Sequence, residues 1–300
     1  MKRVLITGHA GLVGRPLKSR LEEEGYSVRG FDVSDGSGNI NDEKELKKAL
    51  VGCQGVVHLA AVSRVVWGEN DPDLCWRTNA IASESLIQLS QQSPLKPWVL
   101  VVSSREVYGE PEALPVLESA PVMPVNIYGR SKAYMEEKAL EAQVTGLKTA
   151  VVRLSNVYGS INDHVDRVLP AFCRNAVEGR PLRVDGRNNM FDFAHISDTI
   201  SGLMKVIEKL DRELAFKSPI HLLPGIGTTL GEAARLSVLA ANSSSDIVEA
   251  PSRAYDVSRF YGNPQRTNEL LDWEAVVTPE RGISMLVKAF QKSLETKVKA

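Results

Sequence analysis

Short apolar runs alternate with helical patterns through the first half of this 300-residue chain. That alternation limits its folding more than any other feature. "RVLIT", "SVRGFD", "GVVHLAA", "WVLVVSS" and "KTAVVRLSN" are rich in β-branched and aliphatic residues and mostly lack a regular polar face. Strands read this way when both of their faces are covered. Between them lie "LVGRPLKSRLEEEG", stopped by Gly25, then "DEKELKKALVG", "CWRTNAIASESLIQLSQQS" closing before Pro94, and a segment over 128–144. All four carry helical spacing. Strand and helix in strict turn predict an α/β fold, a doubly wound parallel sheet with helices on both sides.

The rhythm changes near residue 156. "HVDRVLPAFCRNAVEG" reads as a helix, "LRV" and "FDFAHISD" as short strands, and "DTISGLMKVIEKL" as another helix. "IHLLPG" returns to a buried-strand pattern. "LGEAARLSVLAA" and "PERGISMLVKAFQKSL" are amphipathic, the latter capped by Thr278 with Pro279 at its first position. These patterns predict a nucleotide-binding domain over 1–155, joined by about 190–225, and a smaller interleaved substrate lobe from 156–189 and 226–300.

A net charge of −1 and the absence of a basic run argue against a nucleic-acid partner. No apolar stretch approaches the roughly 20 residues of a membrane span. "MKRVLITG" enters a strand directly, without a signal-peptide core, and the expected location is the cytoplasm. Cys53, Cys75 and Cys173 are few and scattered, which suits reduced thiols and predicts no metal site.

Two places carry chemistry. "TGHAGLVG" sets Gly8, Gly11 and Gly14 between the first strand and first helix, where backbone amides approach a pyrophosphate. Asp32 ends the second strand, at the reach of a carboxylate that holds ribose hydroxyls and repels a 2′-phosphate, so the predicted cofactor is NAD. Arg29 lies nearby and weakens that exclusion slightly. Farther on, Ser104 ends the fourth strand, and Tyr128 and Lys132 share one face of the next helix. A phenol titrates near 10, so a base at neutral pH needs help; an adjacent ammonium and a positive nicotinamide ring favour the phenolate. Ser104 would bind the same substrate oxygen. Alone, a Y-x-x-x-K pair is also a stray aromatic with a solvated lysine.

Taken together, "TGHAGLVG", Asp32, "NIND", "HLAA", Asn79, "SSREVYG", "YGRSK", "RLSNVYG", "DFAHISD" and "LLDW" resemble the extended short-chain dehydrogenase/reductases of the NAD-dependent nucleotide-sugar epimerase/dehydratase family. The resemblance runs from residue 4 to about 285. It implies a Rossmann-type lobe for NAD and a C-terminal lobe for a nucleotide-sugar. Leu12 and Val13 would pass the pyrophosphate, and Asn39 and Ile40 would meet the adenine. Leu59, Ala60 and Ala61 would line the dinucleotide, with Asn79 close by. Asn156 and Arg253 would grip the substrate diphosphate. Helices at about 78–92 and 128–144 resemble those that pair in the family's homodimers.

Departures bear on the reaction. Asn39 stands where relatives commonly have Asp. Phe191 stands where nucleotide-sugar enzymes often carry an arginine, and Arg187 or Arg259 are candidates to compensate. In 4,6-dehydratases an acid and a glutamate base follow the active-site hydroxyl; here Arg105 and Glu106 do, and arginine is no proton donor. The reading is therefore C4 epimerisation through a 4-keto sugar, with Glu106 as a further catalytic candidate. The alternatives are a dissociable dehydrogenase of a hydroxysteroid-type or other small alcohol, which Phe191 favours, and a dehydratase.

Overall fold

A computed structural model describes residues 2–212, 216–252 and 257–299. The strands are β1 (Arg3–Thr7), β2 (Ser27–Phe31), β3 (Gly55–His58), β4 (Trp98–Ser104), β5 (Thr149–Leu154) and β6 (Asn156–Tyr158). They continue as β7 (Leu182–Asp185), β8 (Met190–His195), β9 (Ile220–Leu222), β10 (Gly227–Thr229), β11 (Ile247–Ala250) and β12 (Arg259–Phe260). The helices begin with α1 (Gly14–Glu23), α2 (Glu43–Leu50), α3 (Val65–Asn70), α4 (Pro72–Trp76), α5 (Ala82–Gln92) and α6 (Ile127–Val144). They end with α7 (Val168–Val177), α8 (Ile196–Asp211), α9 (Leu230–Ala241), α10 (Gln265–Leu271) and α11 (Pro279–Lys299).

Six strands form one parallel sheet in the order β2-β1-β3-β4-β5-β9. Successive residues of a strand serve opposite faces, which explains why these strands are apolar throughout. Val4, Ile6, Leu100 and Val152 pack on one side with Leu17 of α1 and Leu203 and Val206 of α8. Leu5, Val99, Val101 and Val151 pack on the other with Leu46 of α2, Leu86 of α5 and Met135 of α6. The predicted Rossmann-type α/β sheet is what forms. A third cluster lies outside it, where α7, α9 and α11 bury Phe172, Ala233 and Ile283 against Leu182 and Val184 of β7. In a small mixed sheet, β8 pairs with β6, β10 and β12, and its last residue feeds straight into α8.

Three elements differ from the sequence-based expectation. The long helix predicted around 75–93 is interrupted: between α4 and α5 the residues Arg77–Ile81 form a π turn. Asn79, on that turn, is fully buried and clamps Val62 by accepting its N–H at 2.7 Å and donating to its carbonyl at 3.0 Å. Such single-turn bulges place side chains that a regular helix would rotate away. The run "GVVHLAA" is strand only to His58, because Leu59–Ala61 leave the ladder to edge the crevice. The helix read from His164 begins at Val168, and the residues before it form a loop over the same crevice. The segments α3, α10, β10, β11 and β12 carried too little periodicity to be read from sequence.

Candidate active site

A cleft of about 870 Å³ opens at the carboxyl ends of β1, β3, β4 and β5. Its floor on one side is the glycine turn. Gly8 has φ +74°, and a Cβ there would lie 2.6 Å from Ala60 N, so a side chain would push the turn off the wall beside it. No side chain caps the first turn of α1. Arg15 N in that turn donates to Gly11 O at 3.2 Å, and the helix end carries the partial positive charge that favours an anion. Gly8, Gly11, Leu12, Val13 and Gly14 all line this part of the cleft.

Asp32 sits at the rim, its Oδ2 accepting from Ala10 N at 3.1 Å and its Oδ1 from Ser34 N at 2.8 Å. Arg29 is turned away: its guanidinium donates to the carbonyls of Lys48, Ala49 and Val51, closing the end of α2. No cation from β2 thus faces the Asp32 carboxylate. Asn39 and Ile40 lie beside it; the Asn39 side-chain oxygen already accepts from Asn41 N at 3.0 Å. Leu59, Ala60 and Ala61 form the opposite wall.

Asn79 does not reach the cleft surface. It stands behind the wall and holds it, while its neighbour Thr78 lines the cleft. A buried chain of hydroxyls and an imidazole supports the same wall. Thr7 Oγ1 and Ser83 Oγ each lie 2.7 Å from a nitrogen of His58, and Ser83 donates to Asn79 O at 2.6 Å. Burial and the nearby Lys132 push His58 down to about 3, so it is neutral at physiological pH.

Ser104, Glu106, Tyr128 and Lys132 converge on the other half of the cleft. Helix α6 starts at Ile127 because Asn126 caps it, accepting from Gly129 N at 2.7 Å. The same side chain donates from Nδ2 to Glu106 at 2.8 Å. Gly129 permits this approach, since a Cβ there would meet Glu106 O at 2.5 Å. Tyr128 is thereby set at the helix entrance next to the turn after β4. Sequence reading missed Asn126: an asparagine before a helical segment is an N-cap signal, but its second bond goes to a residue twenty positions earlier.

Tyr128 is raised to about 12, first by burial and then by the Glu106 carboxylate; the Ser104 hydroxyl and Arg167 act in the opposite sense. The Lys132 ammonium sits 6.0 Å from the phenol ring centroid and donates to Val102 O at 2.9 Å. Burial depresses it to about 8. One of its three N–H groups is used on that backbone carbonyl, and the rise at Tyr128 comes from burial and from Glu106. Glu106 is held from both sides, by Asn126 and by Arg105, whose Nη2 is 2.8 Å from its Oε1.

Asn156 lines the cleft and accepts from Arg105 Nε at 3.1 Å. Arg253 lies outside the described residues. Of the two candidates to replace an arginine at 191, neither lines the cleft: Arg187 pairs with Glu249, and Arg259 donates to Pro111 O. Phe191 is buried and itself forms part of the cleft wall. Sequence reading also missed the far rim. There Arg64 pairs with Asp166, and Trp67 stands edge-on to His164 at 4.7 Å, joining α3 to the loop before α7. Loop residues of this kind have no periodicity to expose them.

The buried atoms left without partners include Ser103 Oγ, Arg105 Nη1, Ser155 Oγ and Asp163 Oδ2, all from residues lining the cleft. Among the described residues, no cluster of three or more His, Cys, Asp or Glu suits a metal ion, and no helix is long and apolar enough to cross a membrane. The three cysteines are buried and free.

Comparison with known proteins agrees with this architecture. The family model described as NAD dependent epimerase/dehydratase family matches residues 4–217. UDP-glucuronic acid decarboxylase 1 of Danio rerio is 28% identical, covering 98% of this chain and 74% of its own. The crystal structure of UDP-glucose 4-epimerase with UDP-glucose from Thermotoga maritima superposes with a TM-score of 0.89 at 27% identity, covering 97% of this chain and 99% of the other. MoeE5 in complex with UDP-glucose and NAD gives 0.88 at 25% identity, again over 97% and 99%. With a matching family model over most of its length and the same α/β sheet, this chain belongs to the NAD-dependent epimerase/dehydratase family and is an NAD-dependent enzyme.

Proposed function

We propose that the chain is a nucleotide-sugar epimerase that inverts C4 through a transient 4-keto sugar. One observation carries the reading: Ser104 from the end of β4 and Tyr128 and Lys132 from α6 face the cleft that the glycine turn and Asp32 also line. The glycine turn and the α1 amides would hold the NAD pyrophosphate, and Asp32 the adenosine ribose. When bound, NAD supplies the acceptor for a hydride and a positive charge beside the phenol.

Tyr128 takes the hydroxyl proton and later returns it, so one residue is base and then acid, and no net redox would occur because the hydride goes back to the same carbon from the other face of the turned sugar. Ser104 donates to the same oxygen and keeps it at the phenol. Lys132, anchored on Val102 O, maintains a buried cation on the α6 face. Asn156, and Arg253 from outside the described residues, would hold the diphosphate, so that the sugar can turn while its nucleotide stays fixed. In this scheme residues 1–155 serve NAD and the later lobe the sugar. A homodimer would pair the helices near 78–92 and 128–144; Trp76, just before the first, lies tilted against Tyr134 of the second at 5.3 Å.

The test begins with freshly purified protein, denatured so that released NAD can be measured by chromatography, and continues with UDP-sugars assayed for C4 inversion. Near-stoichiometric NAD and an interconverted pair of hexoses are the expected results. Tyr128→Phe should abolish turnover and retain NAD. Protein that purifies empty and oxidises alcohols with added NAD would instead favour a dissociable dehydrogenase.

A further inference from the structure

Arg153 of β5 stands in register with Ser103 of β4, one residue before Ser104, yet it does not line the cleft. It is 4% exposed, and its three nitrogens have partners on other elements. Nε and Nη2 donate to the Glu136 carboxylate of α6 at 2.9 and 2.6 Å. Nη1 donates to the Tyr108 hydroxyl at 2.7 Å and to Glu118 O at 3.0 Å. The guanidinium also lies over the Tyr108 ring at 4.7 Å. A planar, always charged fork of donors suits a three-way junction of this kind, and a single ammonium does not.

The junction joins the two carriers of the candidate catalytic groups. Tyr128, Lys132 and Glu136 follow one another at steps of four on α6, so they lie along one side of that helix. Tyr108 closes the turn that begins directly after Ser104. Helix and turn are already joined once, where Asn126 donates to Glu106 at 2.8 Å. One joint leaves the helix free to pivot, and a second at Glu136, farther along α6, fixes its orientation. Tyr108 is itself held: its hydroxyl lies 2.6 Å from Nε2 of His221 on β9, and its ring stacks on Phe260 at 5.9 Å. Burial lowers His221 to about 4, so the imidazole is neutral at physiological pH. With Nδ1 donating to Asn263 O at 3.3 Å, Nε2 is the acceptor for the Tyr108 hydroxyl.

We propose that Arg153 is a positioning residue: by joining Glu136 to Tyr108 it sets α6 against the turn after β4, so that Tyr128 and Ser104 meet at one substrate oxygen. The proposal rests on the reading above that makes Tyr128 the base and Ser104 its partner, and on neither the sugar nor the nucleotide. A displacement of about 1 Å between such groups costs about a hundredfold in rate.

Two variants separate positioning from stability. Arg153→Met combined with Glu136→Leu removes both buried charges, which recovers stability without the junction. Tyr108→Phe leaves the Arg153–Glu136 pair intact and deletes the hydroxyl that links it to the turn. Each would be unfolded in urea, measured for bound NAD, and assayed for kcat and KM on UDP-glucose and its C4 epimer. In both, kcat should fall about tenfold to a hundredfold while KM and bound NAD stay unchanged. A kcat within about threefold of wild type in either variant overturns the proposal and leaves Arg153 a purely structural residue. Loss of bound NAD in step with kcat overturns it as well. If the double variant does not regain stability, Tyr108→Phe decides alone. If wild type interconverts no UDP-hexose, the nucleotide-sugar reading falls; the same variants are then compared on alcohol oxidation with added NAD, where the same two outcomes decide.

Discussion

Asn126 should matter far more than a loop asparagine ordinarily does, because one side chain serves two partners. Its Oδ1 caps α6 through Gly129 N, and its Nδ2 satisfies the buried Glu106 carboxylate. Losing an N-cap costs about 1 kcal/mol. Stranding one oxygen of a buried carboxylate costs about 1–3 kcal/mol. Asn126→Ala should therefore destabilise by about 2–4 kcal/mol in urea unfolding, with kcat falling because Tyr128 stands two residues into the loosened entrance. Asn126→Ser keeps a capping oxygen but not the amide donor, so it should lose only the Glu106 share. Asn126→Asp keeps the cap and sets a second carboxylate against Glu106, so its deficit should widen as pH rises through the carboxylate range. A double-mutant cycle with Glu106→Gln measures the coupling directly. Asn126→Ala within about 0.5 kcal/mol of wild type, or a coupling of that size or less, would refute the reasoning.

Three further outcomes are expected. Lys132 titrates near 8 when folded, below its ordinary 10.5; the unfolded chain then binds more protons between those values, so the group's contribution to stability rises with pH across that window. The stability of wild type relative to Lys132→Met should increase from pH 8 to 10, and a flat difference in urea unfolding would contradict this. Asp192 has the opposite sign: raised to about 8 from 3.8, it holds a proton in the folded state that the unfolded state releases, so its contribution falls as pH rises from about 4 to 8. Asp192→Asn should become progressively more favourable relative to wild type over that range, which thermal melts at pH 5 and 8 would show. Arg153 donates to Glu136 from Nη2 at 2.6 Å, with both side chains buried. Arg153→Met should cost about 3–5 kcal/mol by leaving Glu136 uncompensated, and Arg153→Met with Glu136→Leu should recover much of it.

The sheet was legible because burial on both faces writes itself into consecutive residues: Val4, Leu5 and Ile6 are all apolar since they serve two cores. The glycine turn, Asp32, Ser104 and the Tyr128–Lys132 pair were legible too, for each follows a strand end or opens a helix at a spacing that local geometry dictates. Arg29 and Asn79 show the limit. Arg29 looked like a neighbour of the ribose site until three carbonyls of the α2 end claimed it. Asn79, expected close to the dinucleotide, is set by the π turn behind the wall that lines the cleft, a placement no local pattern shows.

By itself, then, the sequence determined the order of elements, the parallel sheet, and the places where backbone amides and a phenol are presented, since these depend on periodicity and on residues a few positions apart. Only the tertiary structure decided which charges are paired. Arg105 meets Asn156 across fifty-one positions, Glu106 meets Asn126 across twenty, and Arg64 meets Asp166 across one hundred and two. Such pairings follow from how separate loops are carried to one rim, and the Glu106 carboxylate held there adds to the burial that raises Tyr128.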